Sequence, residues 1–348
     1  MGYRNSGLIN KYRLQIVYLF ILGIFLYFSS IHAQEKIIFD TDIGGDADDL
    51  GALAMLHNLA DAGECEILAI ICVARDRFAV PGIDAINHFY NRPDIPVGII
   101  RDSVLRDVDW RYNRPIAEQL PHDLTSEEAP SAVRLYRQVL TKQDDKSIKI
   151  VTVGYLTNIY NLMKSGPDDI SPLSGKELIG KKVKEFTIMG GQYPEGTRYN
   201  IKNDPKAAAY VFENLNVPIV FTGWEVGRYI KTGLGIKQLD TIHPLYIGYD
   251  YYYKNAPWEV NATWLDEDEK GKMRSKPSFD QTAVLYAVRG GVGKYWELVK
   301  DGYCQVDTVT GFNRWISGDK TNQAYLRVIA PNEEIAEVIE NIMLGKME

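Results

Sequence analysis

The chain has 348 residues, 45% hydrophobic and 24% charged, which is enough apolar content for a sizeable core and too ordinary a balance for a disordered or fibrous protein. Acidic residues outnumber basic ones 46 to 39, and the formal charge of -7 disfavours binding to nucleic-acid backbone or to anionic membrane surfaces. No linker-like stretch, internal repeat or low-complexity tract divides the sequence, so one main domain is expected.

The first segment differs from the rest. Arg4, Lys11 and Arg13 precede an apolar run from Leu14 to Phe28, and the small residue Ala33 follows. This order predicts a signal peptide over residues 1–33, cleaved after Ala33, with the catalytic domain occupying 34–348. The apolar run is shorter than the ~20 residues of a membrane span. The mature protein is therefore expected to be periplasmic or secreted, without stable membrane association; a retained N-terminal anchor is the alternative. Removing the segment takes away those three basic residues and no acidic one, moving the charge from -7 to -10. Cys65, Cys72 and Cys304 are odd in number and widely spaced, so neither a thiolate metal site nor an essential disulfide is expected.

Lys36-Ile37-Ile38-Phe39 then reads as a buried strand, and Leu50 to Ala60 as a helix. Between them lie Asp40, Asp42, Asp46, Asp48 and Asp49, with no Lys or Arg from Ile37 to Ala74. Carboxylates this close repel one another and lose hydration when buried, so they stay ionised only beside a counter-charge. A hard divalent cation with oxygen ligands would supply it. Asp48 or Asp49 could merely cap the helix, worth about 1 kcal/mol, but capping does not account for all five.

Further apolar runs at 67–73, 97–100, 148–153, 185–189 and 218–221 read as strands, with helices at 83–90, 132–141, 156–163 and 205–214 between them. This alternation predicts an α/β fold with an open, mostly parallel sheet flanked by helices. The acid-rich turn would sit at the carboxyl edge of that sheet, where ligands bind. Beyond Phe221 a short helical region near Gln238 leads to an aromatic, acidic stretch, Tyr246 to Lys272, read as helices and loops over that edge. Its tyrosines could line a cleft or simply pack. Asp280 opens a helix running to Val288, strands follow near 303–306 and 314–316, and a last helix starts at Asn332.

Asp40-Thr41-Asp42-x-Gly44 followed by Asp48-Asp49 and an apolar helix resembles the N-terminal motif of the nucleoside hydrolases, the inosine/uridine-preferring group. The bacterial variant with two extra residues before the Asp-Asp pair fits best. Val153-Gly-Tyr-Leu-Thr-Asn158, Ile188-Met-Gly-Gly191, Tyr199-Asn-Ile201, Asp204-Pro-Lys-Ala-Ala208 and Ser278-Phe-Asp-Gln-Thr-Ala-Val284 follow in that family's order. The resemblance runs from Lys36 to Arg289 and implies hydrolysis of the N-glycosidic bond of ribonucleosides. It further implies a Ca²⁺ ion held by Asp42, Asp49, Asp280 and the backbone carbonyl of Thr157. Asp42 would take the proton from the attacking water, Asp48 would accept from a sugar hydroxyl, and Asn200 would hold the ribose. Asp40 would support the loop from behind, while Asp46 has no counterpart. Homo-oligomers are common in the family.

Met189 is expected beside the ligand, with the following glycines allowing a close turn. Trp224 and Glu225, just past the strand ending at Phe221, could shape the base pocket, although a packed Trp is equally consistent. Three positions depart from the family pattern. Phe279 stands where many purine-cleaving members carry His, so it can stack on a base but cannot donate a proton; His122 and Tyr229 are the alternative donors. Arg198 stands in place of a ribose-binding Glu, and its guanidinium would favour an anion unless it points to solvent; Glu195 could substitute for the missing acid. Asp76 occupies the place of an asparagine. These departures keep two alternatives open: hydrolysis of another, anionic ribosyl or glycosyl compound, and a non-catalytic nucleoside or ribose binder. A phosphotransferase with an aspartate nucleophile fits the first motif but not the later ones. An EF-hand loop fails because Gly51 occupies the place of its bidentate Glu.

Overall fold

A computed structural model describes residues 34–102, 104–319 and 322–347, so the predicted signal peptide lies outside the described residues. The main sheet has eight strands. In chain order they are β1 (Glu35–Thr41), β2 (Cys65–Cys72), β3 (Val97–Ile99), β4 (Ile148–Thr152), β5 (Val183–Met189), β6 (Ile219–Thr222), β7 (Trp296–Val299) and β8 (Gln323–Val328). Their spatial order is β7-β8-β6-β5-β4-β1-β2-β3. All pairings are parallel except that of β7 with β8 at one edge. Strands buried on both faces read as unbroken apolar runs, which is why Ile37, Ile38 and Phe39 are fully buried.

The chain leaves β1 toward β2 and β3, then returns to β4 on the opposite side of β1. The loops after β1 and β4 thus diverge at a topological switch point, leaving a crevice between them. Asp40 sits at that point, paired in register with Ile71 on one side and Thr152 on the other.

The helix Asp48–Asp61 is buried around most of its circumference, because it is wedged between the sheet, the helix Phe279–Arg289 and the C-terminal helix Asn332–Met343. The helices at Ala132–Lys142, Thr157–Lys164 and Pro205–Asn214 lie close to their predicted bounds. The stretch after Tyr246 contains the helices Pro244–Asn255 and Pro257–Val260, as expected, but its tyrosines do not form the cleft. Tyr249, Tyr252 and Tyr253 are buried, with Tyr252 Oη donating to Glu259 and Tyr253 Oη to the carbonyl of Arg274.

The larger departure is at the C-terminal side. β7 and β8 extend the main sheet, whereas the strands expected near 303–306 and 314–316 form a separate sheet, Gly302–Val306 and Phe312–Ser317, with Glu195–Thr197. Thr197 pairs with Phe312 there, which anchors the segment that carries Arg198 and Asn200. Among the described residues no helix is long and apolar enough to cross a membrane.

Candidate active site

A cavity of about 610 Å³ opens at the carboxyl edge of the sheet. Asp42, Asp46, Asp48 and Asp49 reach it from the turn after β1, Val153 and Tyr155 from the turn after β4, and Met189 and Gly190 from the end of β5. Trp224 follows β6, and Phe279 and Asp280 come from the first turn of the helix Phe279–Arg289. Trp110, Arg111, Trp258 and the segment Thr197–Lys202 complete much of the wall.

The acid turn is held by its neighbours. Gly44 adopts φ +106, and a Cβ there would lie 2.2 Å from Asn113 Nδ2. That amide donates to the carbonyl of Ile43 and to Asp76, both at 2.9 Å. Tyr112 Oη donates to the carbonyl of Asp46 at 2.8 Å. Gly154 permits the turn after β4 to pass close to this one, since a Cβ at Gly154 would lie 2.8 Å from the backbone nitrogen of Asp42. Asp76, at the place of the family's asparagine, is a buried acceptor within this brace.

Asp48, Asp49 and Asp280 bring carboxylate oxygens within 4.8 Å of one another, and all three are buried. Burial pushes Asp42 up to about 7, opposed by Arg111 and reinforced by Asp48. Burial, then Asp46, pushes Asp48 up to about 6 against the pull of Lys276. Asp49 is raised well above the carboxylate range by burial, Asp42 and Asp48, and Asp280 by burial, Asp48 and Asp49. Asp40 lies behind the turn, fully buried, accepting from Tyr136 Oη at 2.8 Å and Asn158 Nδ2 at 3.1 Å. Its pKa is pushed up to about 7 by burial.

The turn is not left entirely without counter-charge, as its own sequence implied. Lys276 is buried and places Nζ 2.5 Å from Asp46 and 3.3 Å from Asp48. Asp46, unassigned from sequence, is therefore the ion-pair partner of a lysine more than 200 residues away. Lys276 and Arg111 together still leave Asp49 and Asp280 without a cationic partner among the described residues. A second acidic group, Asp84, His88 and Asp123, is structural: Asp84 accepts the backbone N–H of Asp123 at 2.9 Å and of Leu124 at 3.1 Å.

Asn200 Nδ2 donates to the carbonyls of Val153 at 2.6 Å and Met189 at 3.1 Å, which fixes its side chain at the wall. Thr157 is buried at the start of its helix and its hydroxyl donates to Asp204 at 2.5 Å; its side chain is not among those lining the cavity. Trp224 and Phe279 stack with centroids 6.5 Å apart and planes 19° apart. Arg198 neither points away to solvent nor pairs with an acid. Its guanidinium lies 3.6 Å from the Trp224 ring centroid, at the cavity wall.

Several expected residues lie elsewhere. Glu225 turns away from the cavity to accept the backbone N–H of Tyr193 at 3.0 Å, because the short helix Trp224–Gly227 directs successive side chains to different sides. Glu195 pairs with Arg314 at 2.9 Å on the small sheet and cannot stand in for the missing acid. His122 and Tyr229 are exposed and do not line the cavity, so neither supplies the leaving-group proton from this wall. His57 is a packed residue, stacked on Tyr90 at 4.6 Å with its pKa lowered to about 3 by burial. Conversely, sequence reasoning passed over Lys276, Arg111, Trp110, Tyr155, Tyr199 and Trp258. Tyr155 lay inside a quoted motif, and its hydroxyl donates to that of Tyr199 at 3.1 Å. Tyr199 likewise opened the motif Tyr199-Asn-Ile201, whereas Lys276, Arg111, Trp110 and Trp258 carried no spacing signal.

Comparison with known proteins agrees with this geometry. The family described as inosine-uridine preferring nucleoside hydrolase matches residues 37–330. The pyrimidine-specific ribonucleoside hydrolase RihA of Shewanella sp. is 27% identical over 207 residues, 56% of this chain and 60% of that relative, so the match spans less than two thirds of its length. Among solved structures, the plant nucleoside hydrolase PpNRh1 superposes with a TM-score of 0.64 at 18% identity, covering 89% of this chain and 98% of the other. The type III effector protein XopQ, solved in complex with adenosine diphosphate ribose, gives 0.66 at 13% identity, covering 91% and 94%. At those identities the structures establish the α/β fold alone, and the family match over residues 37–330 establishes descent: the chain belongs to the inosine-uridine preferring nucleoside hydrolase family.

Proposed function

We propose that this protein hydrolyses the N-glycosidic bond of ribonucleosides or closely related ribosyl compounds, releasing base and sugar, with Ca²⁺ as cofactor. The observation that carries the reading is the meeting of Asp48, Asp49 and Asp280 within 4.8 Å in a cavity that also contains Asp42 and a stacked Trp224–Phe279 pair. The donors fit a hard divalent cation: they are buried carboxylate oxygens whose raised pKa values express the cost of mutual repulsion and lost hydration. We assign Asp42, Asp49, Asp280 and the Thr157 carbonyl as ligands, with Asp48 close enough to share the site. When bound, the cation neutralises this cluster, lowers the pKa of water and polarises sugar hydroxyls.

Within that frame each residue has a distinct task. Asp42, which lines the cavity with Asp49 and Asp280, takes the proton from the water that attacks the anomeric carbon. Asp48 accepts a hydrogen bond from a ribose hydroxyl while Lys276 keeps it charged. Asn200 has its amide hydrogens committed to Val153 and Met189, which leaves its carbonyl oxygen to accept from the sugar. Trp224 and Phe279 offer flat faces to the base. Phe279 has no proton to give; the phenols of Tyr155 and Tyr199 also line the cavity, with Tyr155 donating to Tyr199.

Asp42→Asn tests the assignment. The variant should keep its circular dichroism spectrum and lose about 10²- to 10⁴-fold in kcat, the range for removing a general base. Unchanged kcat would discard Asp42 as the base.

A further inference from the structure

Hydrolysis of a neutral nucleoside gives Arg198 no task, yet this residue is held in place. Its guanidinium lies 3.6 Å from the Trp224 ring centroid, lines the cavity and keeps Nε buried without a hydrogen-bond partner among the described residues. Among the described residues no carboxylate forms an ion pair with it: Glu195 pairs with Arg314, and Glu225 accepts the Tyr193 N–H while its charge acts on Arg198 from a distance. In a chain with 46 acidic and 39 basic residues, an arginine at a cavity wall with no acid partner is conspicuous. Arg111 is different, because its charge acts on Asp42.

Positive charge gathers around Arg198, and the Glu225 charge offsets only part of it. Arg228 lies over the same Trp224 ring at 4.9 Å, and Lys202 also lines the cavity. Burial and then the Arg228 charge lower the pKa of Arg198, with the Glu225 charge opposing them. A guanidinium held over an aromatic ring is pre-oriented, so its N–H groups lose little freedom on meeting an oxyanion. Arg198 and Lys202 both line the cavity, and two cations match a dianion better than a single carboxylate.

The ribose limits where that dianion can sit. C1′ carries the bond to be broken, and the 2′ and 3′ hydroxyls are the groups that the acidic floor would bind. C5′ is the remaining position. We propose that the ribosyl substrate carries a phosphate at C5′, bound by Arg198 with Lys202 and Arg228 contributing to the attraction. This rests on the N-ribosyl hydrolase reading for the placement of the sugar.

The test is calorimetric titration of the calcium-loaded protein with ribose 5-phosphate and with ribose, for the wild type, Arg198→Gln and Arg198→Lys. Ribose 5-phosphate should bind about 10- to 100-fold more tightly than ribose, the usual yield of charge-assisted hydrogen bonds. Arg198→Gln should remove most of that advantage, and Arg198→Lys should keep part of it. Equal affinities in the wild type, or an advantage unmoved in Arg198→Gln, would overturn the proposal. Hydrolysis of uridine and uridine 5′-monophosphate separates this inference from the underlying reading. Turnover of neither with the binding preference intact rejects N-ribosyl hydrolysis and leaves the phosphate site standing. Turnover of uridine without any phosphate preference does the reverse.

Discussion

Phe279 occupies the first turn of a helix, one residue before Asp280, and faces Trp224 across the cavity. A benzyl ring there can hold a departing base by stacking but cannot protonate it, so purines, which leave better when protonated, should be the weaker substrates. Introducing a titratable donor at this point is a direct trial: Phe279→His should raise kcat on inosine by about 10-fold or more, the lower part of the range for general acid catalysis. No gain would mean that leaving-group activation comes from elsewhere. At this scale the sequence was informative where a residue's chemistry is intrinsic, as for the aspartates and Phe279. It was uninformative where direction matters. Trp224 and Glu225 are adjacent in sequence, yet only Trp224 lines the cavity.

The acid turn could be read as an element because everything that defines it is local: an apolar strand, clustered carboxylates and glycines, and an apolar helix. What holds it is non-local. Lys276 belongs to a two-residue strand, Lys276–Pro277, that pairs with Lys231–Thr232, too short to announce itself by any periodicity. The helix Asn113–Gln119, seven residues long, and the tyrosine before it brace the turn and were also missed. The helix Gly175–Lys182 was also missed, although its Ser174/Glu177 capping box was readable. β7 and β8 were overlooked because short strands of mixed polarity lack the continuous apolar run of a central strand. The Lys276 contact gives a quantitative prediction, since removing one partner of a buried ion pair leaves the other charge uncompensated. Lys276→Met should cost about 3 kcal/mol or more of unfolding free energy, measured by urea denaturation. A loss below about 0.5 kcal/mol would mean that Lys276 behaves as a surface charge.

For the whole molecule, the switch point between β1 and β4 gathers carboxylates that folding alone does not favour. In the metal-free protein burial holds Asp42 near 7 and Asp48 near 6, whereas unfolded carboxylates titrate near 3.8. The folded state therefore binds more protons than the unfolded state from about pH 4 to pH 7, and metal-free stability should fall as pH rises through that window. Ca²⁺ held by these carboxylates would compete with those protons, so the increase in melting temperature on adding Ca²⁺ should be small at pH 5 and grow toward pH 8. A calcium-induced increase that does not change with pH would show that these carboxylates do not hold the ion. The central claim is that the acid cluster and the aromatic wall together hydrolyse an N-ribosyl bond. Its most direct test is release of free base and reducing sugar from a panel of ribonucleosides and ribonucleoside 5′-monophosphates by the purified protein, with Ca²⁺ and with chelator. The account predicts turnover that chelator abolishes and Ca²⁺ restores; tight Ca²⁺ binding without base release from any member of the panel would contradict it.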